Sequence, residues 1–450
     1  MNGSTSSHAQ RVMQLLGAQL RTSQELCTVL AVSQPTMSRV LKSMAADVLK
    51  VAIQGVIHYA LHDQMRSHLR SNISRVTPSG QLQRLGVLLP VRPEAFVFVA
   101  EEGKDGYTDG LPWWLFDMRP QGYLGRAYAR SNAAALRLPE RLGDWSDADV
   151  IQALQQHGHD LAGNLLVGER AEQMFVDRAL PEPIAREDRA GAYVALSALA
   201  DAGELPGSSA GGEQPKFTAY AQTPTGMAHV IVKFSARVDN AVAERWRDLL
   251  LAEHHALETL HAAGVPAARS AIVDSAGQRF LEVVRFDRIG ALGRSALLSL
   301  AALDAEFVGQ GGNWFESTQA LVREGQVVPE AVPAAQLLWA YGVLIGNTDM
   351  HAGNLSFTSD SGRPYRLAPA YDMTPMAFAP RIGGAMADTL RPAAIVVAIS
   401  GSIWRQAHAL ALRYAERLRG DQRLSVRFAP CVAATEQQLT QVMERIERIA

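Results

Sequence analysis

Lys233, Asp349, Asn354 and Asp372 are scattered through the sequence, yet their types belong together chemically. Asp349 and Asn354 stand five residues apart in the polar loop Leu344-Ile-Gly-Asn-Thr-Asp-Met-His-Ala-Gly-Asn-Leu-Ser-Phe357. A carboxylate and a carboxamide at that separation on a loop face one point in space. The carboxylate suits a base that takes a hydroxyl proton, and the amide oxygen suits a hard cation. Asp372, in Leu367-Ala-Pro-Ala-Tyr-Asp-Met373, supplies a second carboxylate at the end of another apolar run. Such a set serves phosphoryl transfer, where the protein mostly positions groups and neutralises charge. Taken alone, the loop also reads as a turn whose Asn, Asp and Gly residues bond their own backbone; Asp372 downstream tips the balance.

The elements around these residues are those such a site needs. Residues 331–345 predict an apolar helix running into the loop. His229-Val-Ile-Val-Lys-Phe-Ser235 predicts a strand with one inward-capable lysine, Lys233, which needs an anionic partner if buried. The following helix, Val242–Ala263, carries Glu244, Glu253 and Glu258 and is ended by Gly264. Phe280–Arg288 predicts a strand leaving into a polar turn. The Asp-to-Asn spacing is that of the protein-kinase loop H-R-D-x-x-x-x-N, and the strand lysine and later Asp have kinase counterparts. Pro206–Phe217 is dense in Ser and Gly, able to turn N–H groups to phosphate; it lacks the Gly-Lys-Ser/Thr of a Walker A motif, and a plain linker fits it as well.

The N-terminal part has another character. Residues 1–75 hold eight Lys/Arg against three Asp/Glu, a balance of +5 in a chain of net −2, so the rest carries −7. Residues 10–20 read as an amphipathic helix, Thr22-Ser-Gln-Glu25 as a capping box starting a helix over Gln24–Leu30, and Ser33 as the cap of a third, Gln34–Met44. Val48–Leu61 reads as two strands across Gln54-Gly55. This is the pattern of a winged helix-turn-helix. Its third helix offers Gln34, Thr36, Ser38, Arg39 and Lys42 to base edges and phosphates. A small packing module with a solvated basic face is the bland alternative, and local charge favours DNA.

Other features are bland. Arg66–Gly80 is polar and reads as a linker; Leu85–Leu89 and Ala95–Ala100 read as strands, and Trp113-Trp114 as core or domain interface. His157 and His159 have no carboxylate or Cys framework that would make a metal site. Cys27 and Cys431 match no disulfide or metal spacing. No apolar run would span a bilayer and residues 1–10 lack the core of a secretory signal, so a cytoplasmic protein without membrane partners is expected.

Across roughly residues 84–420 the chain resembles the HipA-type serine/threonine kinases, the toxins of bacterial toxin–antitoxin pairs. The resemblance is carried by Leu111-Pro with Pro120-Gln-Gly122, Asp160-Leu-Ala-Gly163, Ser208-Ser-Ala-Gly-Gly-Glu-Gln-Pro-Lys216, Lys233, Arg285-Phe-Asp-Arg288, Asn347–Asn354 and Tyr371-Asp372. It implies ATP and Mg²⁺ as cofactors. It makes Asp349 the catalytic base, and Asn354 and Asp372 the metal ligands. It further implies Lys233 on the ATP phosphates beside a loop containing Ala210, Gly211 and Gly212, and Val284 and Phe286 on adenine through their backbone. Asp287 would meet the ribose, His351 would support the loop, and Ser208 would be autophosphorylated. A protein Ser/Thr hydroxyl is the implied acceptor, with aminoacyl-tRNA synthetases as the family's known targets. Val284 departs from the Glu usual at that place, which removes a side-chain interaction and keeps the backbone one. The fused DNA-binding head also departs from the usual pair, whose antitoxin is separate, and is similar to the YjjJ type.

The expected architecture is α+β: a winged helix-turn-helix over 1–75, a HipA-like N-terminal subdomain over 76–195, and a two-lobed kinase-like domain over 196–450. A dimer is expected, since helix-turn-helix proteins pair on palindromes. Two other readings compete. One is a DNA-binding regulator whose kinase fold senses nucleotide without transferring phosphate. The other is a small-molecule phosphotransferase of the aminoglycoside-kinase kind, disfavoured by the Ser208–Lys216 and Arg285–Arg288 motifs.

Overall fold

The computed structural model describes residues 2–53, 55–202, 214–359, 362–381 and 383–449. Its first unit begins as the sequence dictates. The Thr22 hydroxyl accepts the Glu25 N–H at 3.2 Å while the Glu25 carboxylate accepts the Thr22 N–H at 2.7 Å, the reciprocal cap of a helix start. Helices α1 (Asn2–Ala18), α2 (Ser23–Leu30) and α3 (Gln34–Ser43) enclose Leu16, Leu26, Met37 and Val40. Strands β1 (Arg21–Thr22), β2 (Val48–Ile53) and β3 (Val56–Leu61) form a sheet in the order β1-β3-β2. The β2–β3 hairpin does not stand free. Val51 and Ala60 share one apolar cluster with Val91, Ala95 and Val97 of the next unit. The Asp63 N–H donates to the Pro90 carbonyl (3.0 Å) and the Arg92 N–H to that of Leu61 (2.9 Å).

The second unit is a five-stranded antiparallel sheet, β7-β6-β5-β4-β8, made of β4 (Ser71–Val76), β5 (Leu82–Val91), β6 (Ala95–Ala100), β7 (Gly106–Asp109) and β8 (Leu165–Val167). Helices α4 (Gly122–Leu136) and α5 (Asp147–His157) pack Tyr128, Ala129, Ile151 and Leu154 against Ile73, Leu88 and Phe96, and α6 (Glu169–Asp177) follows. Two expectations are corrected. Arg66–Gly80 is no linker, because β4 lies inside the sheet between β5 and β8. Its polarity misleads: Ser71 and Ser74 are buried, their hydroxyls donating to the Leu69 carbonyl (2.9 Å) and the Glu172 carboxylate (2.5 Å). The boundary after residue 75 accordingly cuts through β4.

The third unit opens with α7 (Arg189–Ala202), so the boundary after 195 cuts a helix. α7 belongs with the sheet that follows, since Tyr193 packs edge-on against Phe217 and obliquely against Phe280. That sheet, β11-β12-β10-β9, contains β9 (Lys216–Thr223), β10 (Gly226–Phe234), β11 (Ser270–Ser275) and β12 (Gln278–Val284). Between β10 and β11 runs α8 (Ala241–Ala262). Leu249, Ala256, Leu257 and Leu260 of α8 join the largest core of the molecule. That core is completed by α9 (Leu300–Phe307), α10 (Trp314–Arg323), α11 (Ala331–Ile345), α12 (Gly401–Gly420) and α13 (Ala429–Glu447). The third unit is therefore a small sheet set on a helical half, and the whole chain is α+β. Trp114 packs on Phe98 of the second unit while Trp113 packs on Phe307 of the third, the interface role expected of the pair. No helix among the described residues is long and apolar enough to cross a membrane.

Candidate active site

Alternation along β10 decides which way its side chains point. Val230, Val232 and Phe234 face α7 in an apolar cluster. Lys233 takes the opposite face and is buried. Its Nζ donates to both carboxylate oxygens of Glu253 on α8 (2.7 and 2.8 Å) and to Asp372 Oδ1. Of the three glutamates on that helix, only Glu253 therefore meets the lysine. The Thr374 hydroxyl donates to Glu253 Oε2 at 2.6 Å. Lys216 stands opposite Lys233 in the β9–β10 register and is also buried, so a second ammonium borders this face.

One cation lies here between two carboxylates, which sets the protonation pattern. Burial would lower the Lys233 pKa, but Asp372 and then Glu253 outweigh it and hold the ammonium charged. Burial raises the Glu253 carboxyl, and Asp372 pushes it further. For Asp372 burial works the same way but loses to Lys233 and Lys216, so this carboxyl is lowered. The triad is thus an ionised Asp372 and Lys233⁺ backed by a deep carboxyl. Asp372 takes φ +56°, a left-handed backbone unusual for a non-glycine residue and often found at functional sites.

The polar loop of Asp349 and Asn354 begins where α11 ends. Gly346, at φ +80°, takes the left-handed cap and releases the chain. Asn347 is buried and joins the two halves of the site: its Oδ1 accepts the Asp349 N–H (2.9 Å) and its Nδ2 donates to the Asp372 carbonyl (3.3 Å). Asn354 closes the loop by donating from Nδ2 to the Asp349 carbonyl at 2.8 Å. His351 is exposed, and its Nδ1 accepts the Gly353 N–H (3.0 Å) in a loop-supporting role. Asp349 opens to solvent. Partial burial of its carboxyl and the like charge of Asp372 raise its pKa, against the pull of His351 and Lys233. Asp349, Asn354, Asp372 and Lys233 thus converge as expected. Asn347 as their bridge was not legible, because Asn in such a loop is ordinary turn chemistry.

The stretch Val284–Asp287, implied to meet adenine and ribose, departs in part. Phe286 lies against Tyr371, ring centroids 5.7 Å apart, which brings it beside Asp372. The Val284 N–H is committed to the Arg269 carbonyl (2.8 Å), leaving only its carbonyl for a ligand, whereas the Phe286 N–H has no backbone acceptor among the described residues. Asp287 is not presented to the cleft. It is buried, its carboxylate accepting from Arg285 (2.9 and 2.8 Å), Arg288 (2.7 Å) and the Gly163 N–H (3.0 Å). Burial raises such a carboxyl, but Arg285 and Arg288 outweigh it and lower it strongly. Four N–H groups hold this buried carboxylate, three of them on Oδ2, and the one from Gly163 ties the second unit to the third. Ser208, Ala210, Gly211 and Gly212 lie outside the described residues.

Asp372 and Asn354 offer hard oxygens, the donor type Mg²⁺ takes when one or two carboxylates and substrate phosphates complete its shell. The residues present therefore fit the cation, and the lysine pair fits a polyphosphate.

On the described surface of the first unit, Ser38, Arg39 and Lys42 of α3 are exposed. Thr36 is half-buried and bonded to Ser33 (3.0 Å). The Gln34 amide is committed to α2, donating to Ser23 Oγ (2.9 Å) and accepting from Cys27 Sγ (3.0 Å).

Comparison with known proteins sets this geometry in context. Residues 68–176 match the model of the YjjJ-like toxin middle domain, and residues 208–449 that of the HipA-like C-terminal domain. The toxin YjjJ of Escherichia coli strain K12 is 38% identical over 431 residues, covering 95% of this chain and 97% of the relative. Among solved structures, the complex of Shewanella oneidensis MR-1 HipA, HipB and operator DNA has a chain similar at TM-score 0.53 and 17% identity, over 84% of this chain and 99% of that one. The Helicobacter pylori proinflammatory kinase CtkA matches at TM-score 0.39 and 10% identity, over 52% of this chain and 91% of its own.

Proposed function

Because the chain belongs to the HipA-like toxins of the YjjJ type, we propose that it is an ATP- and Mg²⁺-dependent protein serine/threonine kinase with a DNA-binding head. The observation that carries the reading is the buried Lys233–Glu253–Asp372 triad joined through Asn347 to Asp349 and Asn354. A lysine paired to a helix glutamate and pointed at a metal-binding aspartate is the arrangement protein kinases require for transfer. In this reading Lys233 and Lys216 hold the phosphates, and the Val284 carbonyl and Phe286 N–H meet the base. Asp349 takes the proton of the acceptor hydroxyl, which its opening to solvent leaves approachable. Mg²⁺, held by Asp372 and Asn354, would neutralise phosphate charge. Incubation of the full chain with γ-labelled ATP is expected to place label on Ser or Thr of a protein, and chelation by EDTA is expected to abolish it. Label that survives chelation, or none at any Mg²⁺ concentration, would refute the reading.

The head is read as a winged helix-turn-helix, with α3 entering the major groove and Ser38, Arg39 and Lys42 on its outer face. Gln34 would have to leave Ser23 and Cys27 to reach a base, so it is a weaker contact than its type suggests. Anchored through Val51 and Ala60, the head would hold DNA at a fixed orientation to the kinase body. Arg39→Ala with Lys42→Ala is expected to flatten the dependence of log affinity on log salt by about 1 for each phosphate no longer neutralised. Fluorescence anisotropy on duplex DNA measures that slope, and an unchanged slope would remove both residues from the interface.

A further inference from the structure

A cavity of about 470 Å³ lies beside the loop that carries Asp349 and is lined by its residues Gly346, Asn347 and Thr348. That is within the roughly 300–1,000 Å³ range of ligand clefts. One wall is Gly346, Asn347 and Thr348, the last directly preceding Asp349. The other wall comes from residues 376–381 and 387–394, which follow Asp372.

This wall is held in place. The Ala377 N–H donates to the Gly346 carbonyl at 2.9 Å. Arg245, buried on α8 two turns before Glu253, donates to the Phe378 and Ala387 carbonyls (3.1 Å each) and to Asp388 (2.5 Å). Arg445 of α13 donates to the Ala393 carbonyl at 2.8 Å. The wall is therefore tied to the loop, to α8 and to α13.

Its charge is one-sided. Arg381 and Arg391 line it, both exposed, and neither has a carboxylate partner among the described residues. No acid lines it. Asp388, the one carboxylate of the segment, is neutralised by Arg245. This positive cleft stands on a body that carries −7 over residues 76–450.

Resting on the kinase reading, we infer that this cavity seats the stretch of a protein substrate flanking the acceptor hydroxyl, and that Arg381 and Arg391 select substrates whose flank is acidic. The shared wall explains the placement: a chain lying between Arg391 and Thr348 passes its hydroxyl by Asp349, while Asn347 separates it from the nucleotide side. Arg245 is a positioning residue, since it fixes the wall and sits on the helix that presents Glu253.

The test uses the full chain, Mg²⁺, γ-labelled ATP and two sets of short Ser-centred peptides, identical except for Glu or Lys flanks. Wild type is expected to label the Glu-flanked set with a kcat/KM about tenfold higher, the reach of two solvent-exposed ion pairs. Arg381→Glu with Arg391→Glu is expected to invert that order, and its activity on Lys-flanked peptides reports that it folds. Arg381→Gln with Arg391→Gln, the milder pair, is expected to bring the ratio near one. Equal labelling of both sets by wild type overturns the inference and leaves the kinase reading standing. A Glu preference that persists in either variant overturns it as well. If wild type labels neither peptide nor itself, the kinase reading fails and the inference with it.

Discussion

Asp349→Asn is expected to lower phosphoryl transfer by about 10²–10⁴-fold, the span of a general base, with the fold and the KM for ATP unchanged. The change is nearly isosteric, and the interactions that hold the loop run through the main chain of residue 349. Its N–H donates to Asn347 and its carbonyl accepts from Asn354, and neither needs the carboxylate. What disappears is the group proposed to take the hydroxyl proton. A fall in kcat and kcat/KM together, with the KM for ATP held, is the signature of an interaction made only in the transition state. The pH profile gives a second readout. A base must be ionised, and burial with the Asp372 charge raises this carboxyl. Activity of wild type should therefore fall on acidification at a pH above the ordinary Asp value of about 3.9, and the residual activity of the Asn variant should lack that limb. A variant within threefold of wild type would take the base role from Asp349.

The residues that meet at the site were more legible in the sequence than their scaffolding. Lys233, Asp349, Asn354 and Asp372 could be singled out because apolar runs with a readable period flank them, so residue type and local pattern mark them as candidates. Nothing local says that Lys233 and Asp372, 139 residues apart, will touch; the kinase-like order of the motifs carried that. The misreadings share one cause. Ser71 and Ser74 make β4 look like a linker because their hydroxyls are satisfied by partners that only the fold supplies, Glu172 being 98 residues away. Asp287 gives no hint of its bond to Gly163, 124 residues distant, although Arg285 and Arg288, which hold the same carboxylate, are its neighbours in sequence. Glu253 could not be chosen over Glu244 and Glu258 without the crossing of α8 over β10. Arg245, which fixes the wall beyond the loop, gives no signal at all, because its acceptors are main-chain carbonyls and a single distant carboxylate.

Lys233→Met is expected to remove transfer and to destabilise the third unit, and the second effect separates a catalytic triad from an incidental contact. The substitution leaves Glu253, fully buried, and Asp372 facing each other without their cation. Removing one partner of a buried ion pair costs about 3–5 kcal/mol. At roughly 2–4 °C per kcal/mol for large domains, that lowers its thermal transition by roughly 6–20 °C. Protonation of Glu253, already raised by burial, moderates the loss at low pH, so the deficit should shrink on acidification and grow toward neutrality. Adding Glu253→Leu removes the stranded charge and replaces it with apolar volume, a change that is often neutral or stabilising in buried pairs. The double variant should regain most of the transition temperature while transfer stays down by at least about 10²-fold, the scale of one preorganised electrostatic interaction with the reacting group. Stability that returns without activity would assign the pair to catalysis and its burial to a cost the fold carries for it. A Lys233→Met transition within a degree or so of wild type would mean that the ammonium and the two carboxylates do not touch in solution, and the site built on them would fall.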